Sequence, residues 1–125
     1  MTDKTKKIIH WSLTGLLAFV FLGSAMGKFT ADVKALEMAA SFGLDASAYK
    51  MLGVIELISV ILFIVPRTGI LGTFLLAAYM GGAIATHLEH EQSIVAPCII
   101  QSFLWIVAFV RFPELSVRLR NKQKN

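Results

Sequence analysis

The sequence is poor in charged residues and nearly free of cysteine, and each shortage excludes classes of protein. Charged residues make up 16% of the chain, whereas a soluble domain carries about 25%, so the composition does not favour a surface that faces water. The one cysteine, Cys98, has no CxxC partner, which excludes a disulfide framework and a dithiol within the chain. The sequence also contains no phosphate-binding loop, nucleophile elbow or hydrolytic triad.

Apolar residues are abundant instead, and they are gathered in four runs. They make up 56% of the chain, and the runs cover residues 8–26, 48–65, 69–88 and 94–110. A helix of about 17–25 residues crosses a hydrocarbon core about 30 Å thick, and every run fits that length. None of the runs alternates apolar with polar residues, as a strand would. We therefore predict an all-α membrane protein, a bundle of four transmembrane helices, with residues 1–125 as a single membrane domain.

The longest connection, over residues 28–50, is predicted to contain a short amphipathic helix that lies at the membrane interface between the first two spans. Thr30 is its expected N-cap, and Gly43 is its expected stop. An irregular loop is the alternative. The expected apolar face consists of Val33, Leu36, Ala40 and Phe42.

Basic residues predict how the chain is oriented. Nine of the twelve Lys and Arg residues fall on one side of the four predicted spans. The positive-inside rule places that side, with both termini and the tail over residues 111–125, in the cytoplasm. The net charge of +4 does not indicate nucleic acid, because these residues crowd the ends of the chain where they meet anionic headgroups of the bilayer. The nine are Lys4, Lys6, Lys7, Arg67, Arg111, Arg118, Arg120, Lys122 and Lys124.

The first apolar run has an alternative interpretation as a signal peptide. Lys6 and Lys7 would form its basic region, and the small residues at 23–25 would form a weak cleavage site. A span is favoured because the run is long for a signal peptide. Cleavage would also leave three spans and break the charge symmetry.

Small residues supply faces on which helices can approach closely. Gly23 and Gly27 form a GxxxG step on the first helix, and Gly81 and Gly82 lie in a ladder of small residues on the third. We expect these glycines to serve in helix packing. Packing within one chain and a seam between two copies are both open.

The most informative residue is Glu56, which lies inside the second run. A charge at the centre of a span costs about 2.5–3.5 kcal/mol, so this carboxylate should be paired, protonated or turned toward a wet cavity. It shares a helix face with Gly53, Ser59 and Val60, and this face is expected to point into the bundle.

The alternating direction of the spans brings other polar residues to the depth of Glu56. We expect Lys28 to pair with Glu56, with Thr86, His87 and Gln101 nearby in the outer half of the membrane. One interpretation is a structural ion pair that fixes the helices. Another is a site for a small polar group, a quinone headgroup or a proton, and a third is that Lys28 and His87 extend to the interface.

Metal and haem sites are not indicated. His87 and His90 have a spacing that can chelate a metal, with Glu89 and Glu91 beside them, but there is no second cluster. His10 falls on the opposite side of the membrane and cannot pair with His87 across a haem. No cofactor is expected, and a quinone is the one candidate ligand.

Several stretches resemble the DoxX-like family, in the right order and over nearly the whole chain. They are GKF at 27–29, LGVIEL at 52–57, PRT at 66–68, YMGGAIATHL at 79–88 and RFPEL at 111–115. The resemblance implies a four-helix protein of the bacterial inner membrane. The family takes its name from a subunit of a thiosulfate:quinone oxidoreductase, and some relatives are linked to membrane redox complexes and oxidative stress. The recurring residues of the family match Lys28, Glu56, Gly81, Gly82, Thr86 and His87.

Two functional hypotheses follow from the residues and the resemblance together. The first is an accessory or binding subunit of a membrane redox system, possible partners being another membrane protein or a second copy of the chain. The second is a small membrane enzyme or proton-coupled carrier that uses Glu56 with Lys28 and His87. A self-associating channel is weaker, because four short helices enclose no evident polar pore. The chain lacks the cysteine pair that a thiol-redox role would need.

Overall fold

The computed structural model describes residues 2–120, without the side chain of Arg118. The predictions made for Met1 and for the end of the tail, including Lys122 and Lys124, lie outside the described residues. Helices account for 87% of the described part, which holds no strand, so the prediction of an all-α protein is confirmed.

Six α-helices follow one another along residues 2–120. They are α1 (Asp3–Thr30), α2 (Val33–Ser41), α3 (Ala46–Ile64), α4 (Gly69–Glu89), α5 (Val95–Arg111) and α6 (Glu114–Arg120), with a 3₁₀ turn at Pro66–Thr68. Helix α1 extends beyond the apolar run at both ends. The Thr2 hydroxyl caps its start by accepting from the Thr5 amide, and the lysines that follow are good helix formers. The end of an apolar run therefore does not mark the end of this helix.

In the described part of the chain, three stretches are long and apolar enough to cross a membrane: α1, α3 and residues Pro66–Glu89. Helix α5 is also apolar but has 17 residues, which is the lower limit for a span. Large apolar side chains also cover the outside of these helices. Phe19 is 75% exposed, Met51 62% and Ile99 63%. Helices that are apolar on the inner and outer faces alike are typical of a protein whose solvent is lipid.

The four apolar helices pack in a ring. Helix α3 lies between α1 and α4, and α5 closes the ring by contacting α4 and α1. The core is continuous through all four. It consists of Leu17, Ala18, Phe21, Val60, Phe63, Leu76, Met80, Leu104 and Val107.

Hydroxyl groups in this interior are satisfied locally. Thr14, Ser59 and Thr73 each donate to the carbonyl four residues earlier on their own helix. In hydrocarbon an unpaired hydroxyl would cost several kcal/mol, so this arrangement lets polar side chains lie in the core.

The turn between α3 and α4 is closed by side chains that satisfy the last carbonyls of α3. Thr68 donates to the carbonyl of Leu62 at 2.8 Å. The Arg111 guanidinium, brought there by the end of α5, donates to the carbonyls of Phe63 and Ile64. A buried helix end needs such donors because lipid supplies none.

Close packing of α3 against α4 depends on Gly72, which the sequence analysis did not single out. A Cβ at this position would collide with the backbone of Phe63. By contrast, the four glycines predicted for packing are exposed, and a Cβ on any of them would meet nothing within 4 Å. Gly23, Gly27, Gly81 and Gly82 therefore do not pack helices against each other within residues 2–120, and a seam between two copies stays a prediction.

Helix α2 is present where an amphipathic helix was expected, but its start and buried face differ from the prediction. Asp32 is its N-cap, accepting from the Ala35 amide at 2.8 Å, whereas Thr30 still belongs to α1. Of its residues Ala39 is the buried one, and Val33 is 72% exposed. The start and the buried face of so short a helix are set by its N-cap and by the helices it packs on. Neither can be inferred from an apolar pattern of four residues.

The predicted stop of α2 at Gly43 is confirmed. Gly43 has φ +75°. Its amide donates to Ala40, and the Leu44 amide donates to Ala39. This pair of hydrogen bonds is the Schellman ending, which needs a left-handed residue and favours glycine.

Candidate functional site

The polar site is organised around the carboxylate of Glu56. Its Oε2 atom lies 2.9 Å from the Nζ atom of Lys28 and accepts two further hydrogen bonds, from the Ser24 and Tyr79 hydroxyls at 3.2 Å each. Lys28 also donates to Ser24 at 2.6 Å. Three side chains from α1 and α4 thus meet at one carboxylate oxygen of Glu56 on α3. The expected pairing of Lys28 with Glu56 is present.

Local helix geometry positions these groups. Ser24 and Lys28 are four residues apart, and so lie on the same face of α1. Gly53 and Glu56 are one turn apart on α3, and a Cβ at Gly53 would lie 2.9 Å from the Cβ of Lys28. The glycine therefore leaves the space in which the lysine approaches the carboxylate. The expected inward face of α3 is confirmed, since Gly53, Glu56, Ser59 and Val60 are all buried.

Burial makes this ion pair energetically demanding. The side chain of Glu56 is 1% exposed and that of Lys28 is 12% exposed. Removing two charges from water costs several kcal/mol for each ion, and attraction between them repays this only with good geometry and further hydrogen bonds. Ser24 and Tyr79 supply those hydrogen bonds. The ammonium group also lies 5.7 and 5.8 Å from the ring centres of Tyr49 and Tyr79, where a cation is attracted to the ring faces.

A cavity of about 630 Å³ adjoins the ion pair. Its wall includes Lys28 and Glu56 on one side and Thr86 and His87 on another, and most of the rest is apolar. Helix α2 and the residues after it contribute Met38, Phe42 and Leu44 to this wall. The segment between the first two predicted spans therefore forms part of the cavity wall. We call this space the ion-pair cavity.

His87 lies in the wall of the cavity but makes no hydrogen bond to Lys28 or Glu56. Its Nδ1 atom is 2.6 Å from the Ala83 carbonyl oxygen, and its ring packs 4.6 Å from that of Phe42. A carbonyl requires a donor, so Nδ1 carries a proton, and Nε2 is the ring nitrogen that remains for another partner.

Gln101 was expected beside the ion pair, and the structure places it elsewhere. Its Nε2 atom donates to the carbonyl of Ala77 at 3.0 Å, so it links α5 to α4, and it does not line the ion-pair cavity. Equal depth in the membrane does not determine the direction in which a side chain points, and here the amide points between two helices.

The two histidines with chelating spacing are each held through Nδ1 by a backbone carbonyl four residues earlier on α4. His90 is bound through Nδ1 to the Thr86 carbonyl at 3.0 Å, just as His87 is bound to Ala83. Among residues 2–120 there is no group of three or more potential metal ligands.

Tyr79 donates to the carboxylate of Glu56 and is not among the residues expected at this site. A signal was available: Tyr79, Gly82, Ala83 and Thr86 recur at the spacing of one helix face. All four line the ion-pair cavity. A tyrosine in line with a predicted polar site offers a hydroxyl to that site.

These features together define an all-helical membrane protein with three to four apolar helices and a buried ion pair beside an apolar cavity. The family model described as the DoxX-like family matches residues 12–110. The chain therefore belongs to the DoxX-like family, and the resemblance seen in its sequence is confirmed. No curated protein and no solved structure matches the chain.

Proposed function

We propose that this protein binds the polar headgroup of a small amphiphilic molecule of the quinone class in the ion-pair cavity. We place it in the bacterial inner membrane as a four-span protein with cytoplasmic termini. Its proposed role is that of an accessory subunit of a membrane redox system. The observation that carries the proposal is an apolar cavity of about 630 Å³ with a few polar groups in its wall, which is typical of sites for small ligands.

The polar groups in the wall suit a ring that carries oxygen atoms. Lys28 has three donors and uses two of them on Ser24 and Glu56, so one remains for a carbonyl oxygen. The Nδ1 atom of His87 is bonded to a backbone carbonyl, so its Nε2 atom is the one that remains for a ligand oxygen. Thr86 and Glu56 also belong to this wall, most of which is apolar. A few polar groups in a mostly apolar wall suit the oxygen atoms and the hydrocarbon of a quinone or quinol.

An accessory role is favoured over self-contained catalysis because the sequence offers no pair of cysteines for electron transfer. Its one cysteine cannot form a redox-active pair within the chain. Three donors converge on one oxygen of Glu56, which suits an anion that is held in place.

A second candidate is a proton-coupled carrier, and one observation favours it. All three hydrogen bonds to Glu56 end on Oε2, so within residues 2–120 the Oε1 atom accepts none. That oxygen belongs to a residue in the cavity wall. Proton uptake by proteoliposomes, lost in Glu56→Gln, would support this candidate over ligand binding alone.

Cavity filling tests the main proposal without disturbing the ion pair. Gly82 lines the cavity and has open space before it, whereas Gly81 is also open but lies outside the cavity. We expect Gly82→Leu to weaken binding of a short-chain quinone by at least about tenfold, because an added side chain of this size occupies the ligand's volume. Gly81→Leu is the matched control and should leave binding unchanged.

Calorimetric titration of the purified protein in neutral nanodiscs gives the affinity, and thermal unfolding shows that both variants are folded. Equal binding by wild type, Gly82→Leu and Gly81→Leu would place the ligand elsewhere. Failure of the wild type to bind any quinone or quinol would reject the proposal.

A further inference from the structure

A second cavity, of about 720 Å³, lies at the opposite end of the bundle from Lys28 and Glu56. It is bounded by the start of α1, by the turn at Pro66 and by the end of α5. This is the end of the bundle where the sequence predicts the cytoplasm, because it carries most of the basic residues. We call it the terminal cavity.

Basic side chains dominate the polar part of its wall. Lys6 and Lys7 precede His10 by four and three residues, so all three project from neighbouring positions on α1. Arg111 enters from the other side, at the end of α5. No Asp or Glu lines the cavity, and the single ion pair within residues 2–120 is the one between Lys28 and Glu56. The positive charge here is not compensated by a carboxylate.

Arg111 is almost completely buried, and not all of its N–H groups have a hydrogen-bond partner. It is 4% exposed, and it donates to the carbonyls of Phe63 and Ile64. Its Nε atom is buried and has no hydrogen-bond partner in the described part of the chain. The guanidinium lies 5.4 Å from the ring centre of Trp11 and 4.9 Å from that of Phe112. Carbonyls and aromatic faces orient the guanidinium, but they leave its full charge in the wall of the cavity.

Much of the rest of the wall is apolar. This favours a phospholipid over a free phosphate, although both carry an anionic phosphate group. Ile9, Trp11 and Val110 line the cavity beside the basic groups. A free phosphate would gain nothing from them, whereas a phospholipid presents a phosphate and an acyl chain together. The position at the ends of membrane-length helices also matches the depth of headgroups.

We propose that the terminal cavity is a binding site for an anionic phospholipid, whose headgroup phosphate is held by Lys6, Lys7 and Arg111 and whose upper acyl chain packs on Ile9, Trp11 and Val110. This site is separate from the ion-pair cavity. It therefore does not depend on the proposed function.

Trp11 provides a direct measurement, because it lines the terminal cavity and Trp105 does not. In a Trp105→Phe background, in neutral detergent, titration with short-chain phosphatidylglycerol should give a saturable change in Trp11 fluorescence. Phosphatidylcholine with the same chains should give a much weaker one. Glycerol phosphate, the free-phosphate arm, should leave the fluorescence unchanged at the concentration at which the lipid saturates.

A matched pair of variants separates this site from the general attraction of a basic surface. Lys6→Gln with Lys7→Gln removes two charges from the cavity, whereas Lys4→Gln with Arg67→Gln removes two from the same end but outside it. We expect about a thirtyfold loss of affinity for the first pair and a change of less than about threefold for the second. Equal losses would overturn the proposal, and so would equal binding of phosphatidylcholine or of glycerol phosphate.

Discussion

Tyr79 shows how much a single hydroxyl contributes when it lies beside a buried ion pair. Its ring lies under the Lys28 ammonium, and its hydroxyl donates to Glu56 at 3.2 Å. Tyr49 resembles it closely, since its ring also lies near Lys28 and is 8% exposed, but no hydrogen bond of its hydroxyl is found among residues 2–120. The two tyrosines therefore differ mainly in the hydrogen bond to the carboxylate.

That difference predicts unequal effects of the same substitution. Tyr79→Phe should lower the free energy of unfolding by about 1.5–3 kcal/mol, because a hydrogen bond to a charged group is lost and the carboxylate stays buried. Tyr49→Phe should change it by less than about 0.5 kcal/mol. Unfolding in mixed micelles measures both values, and equal effects would show that the hydrogen bond does not stabilise the ion pair.

At the scale of elements, the end of α3 is the point on which several parts of the fold depend. Arg111 of α5 and Thr68 of the 3₁₀ turn satisfy its last carbonyls. Gly72 of α4 permits the close approach of the two helices just below this turn. The end of one helix is thus completed by residues that are distant from it in the sequence.

Arg111→Met should be strongly destabilising. It keeps much of the side-chain volume but leaves the carbonyls of Phe63 and Ile64 without donors, which is expected to cost about 2–4 kcal/mol. Arg67→Met is the control, since Arg67 is exposed in the same turn and donates no hydrogen bond that the structure describes. Thermal unfolding in detergent compares the two, and an equal shift would mean that Arg111 acts only as a surface charge.

Replacing a glycine of α4 by alanine is expected to lower the free energy of unfolding at one position and to raise it at another. Gly72→Ala should destabilise by at least about 1–3 kcal/mol, because the new methyl group forces α3 and α4 apart. Gly81→Ala should stabilise by roughly 0.5–1 kcal/mol, because alanine loses less backbone entropy and meets no neighbour. If Gly81→Ala instead weakens self-association measured by cross-linking, the seam between two copies gains support.

For the whole molecule, the decisive property is the number of helices that cross the membrane. Between residues 2 and 120, three stretches are long enough to cross, and α5 has 17 residues. If α5 crosses, the loop before it and the helix after it lie on opposite sides. The basic residues near the termini and in the Pro66 turn favour this arrangement, because they then all face the cytoplasm.

Cysteine labelling determines the number of spans. Ser93 lies before α5 and Val117 lies after it, and both are exposed. Each is replaced by cysteine, one at a time, in a Cys98→Ser background. We expect a membrane-impermeant maleimide to label Ser93→Cys on intact spheroplasts and Val117→Cys only on inverted vesicles. Labelling of both positions from one side would mean that α5 does not cross, and would leave three spans.

Sequence by itself determined the four apolar helices, their approximate positions and the family, because apolar runs of membrane length have few other solutions. It did not predict α6, which has no such run. It also determined that Glu56 should be paired, protonated or turned toward a wet cavity, since an unpaired charge in lipid is costly. Lys28 followed from the alternating direction of the helices. These inferences rest on chain length and on the energetics of single residues, both of which can be read along one dimension.

Only the tertiary structure decided which way each side chain points. It turned Gln101 toward α4, brought the Tyr79 hydroxyl to Glu56 and left Gly81 and Gly82 open. It also made Arg111 a cap for α3 in addition to a charge at the membrane surface. The physical reason is that depth follows from position along a helix, whereas contact depends on the rotation of each helix about its axis, which is set by packing against all its neighbours at once.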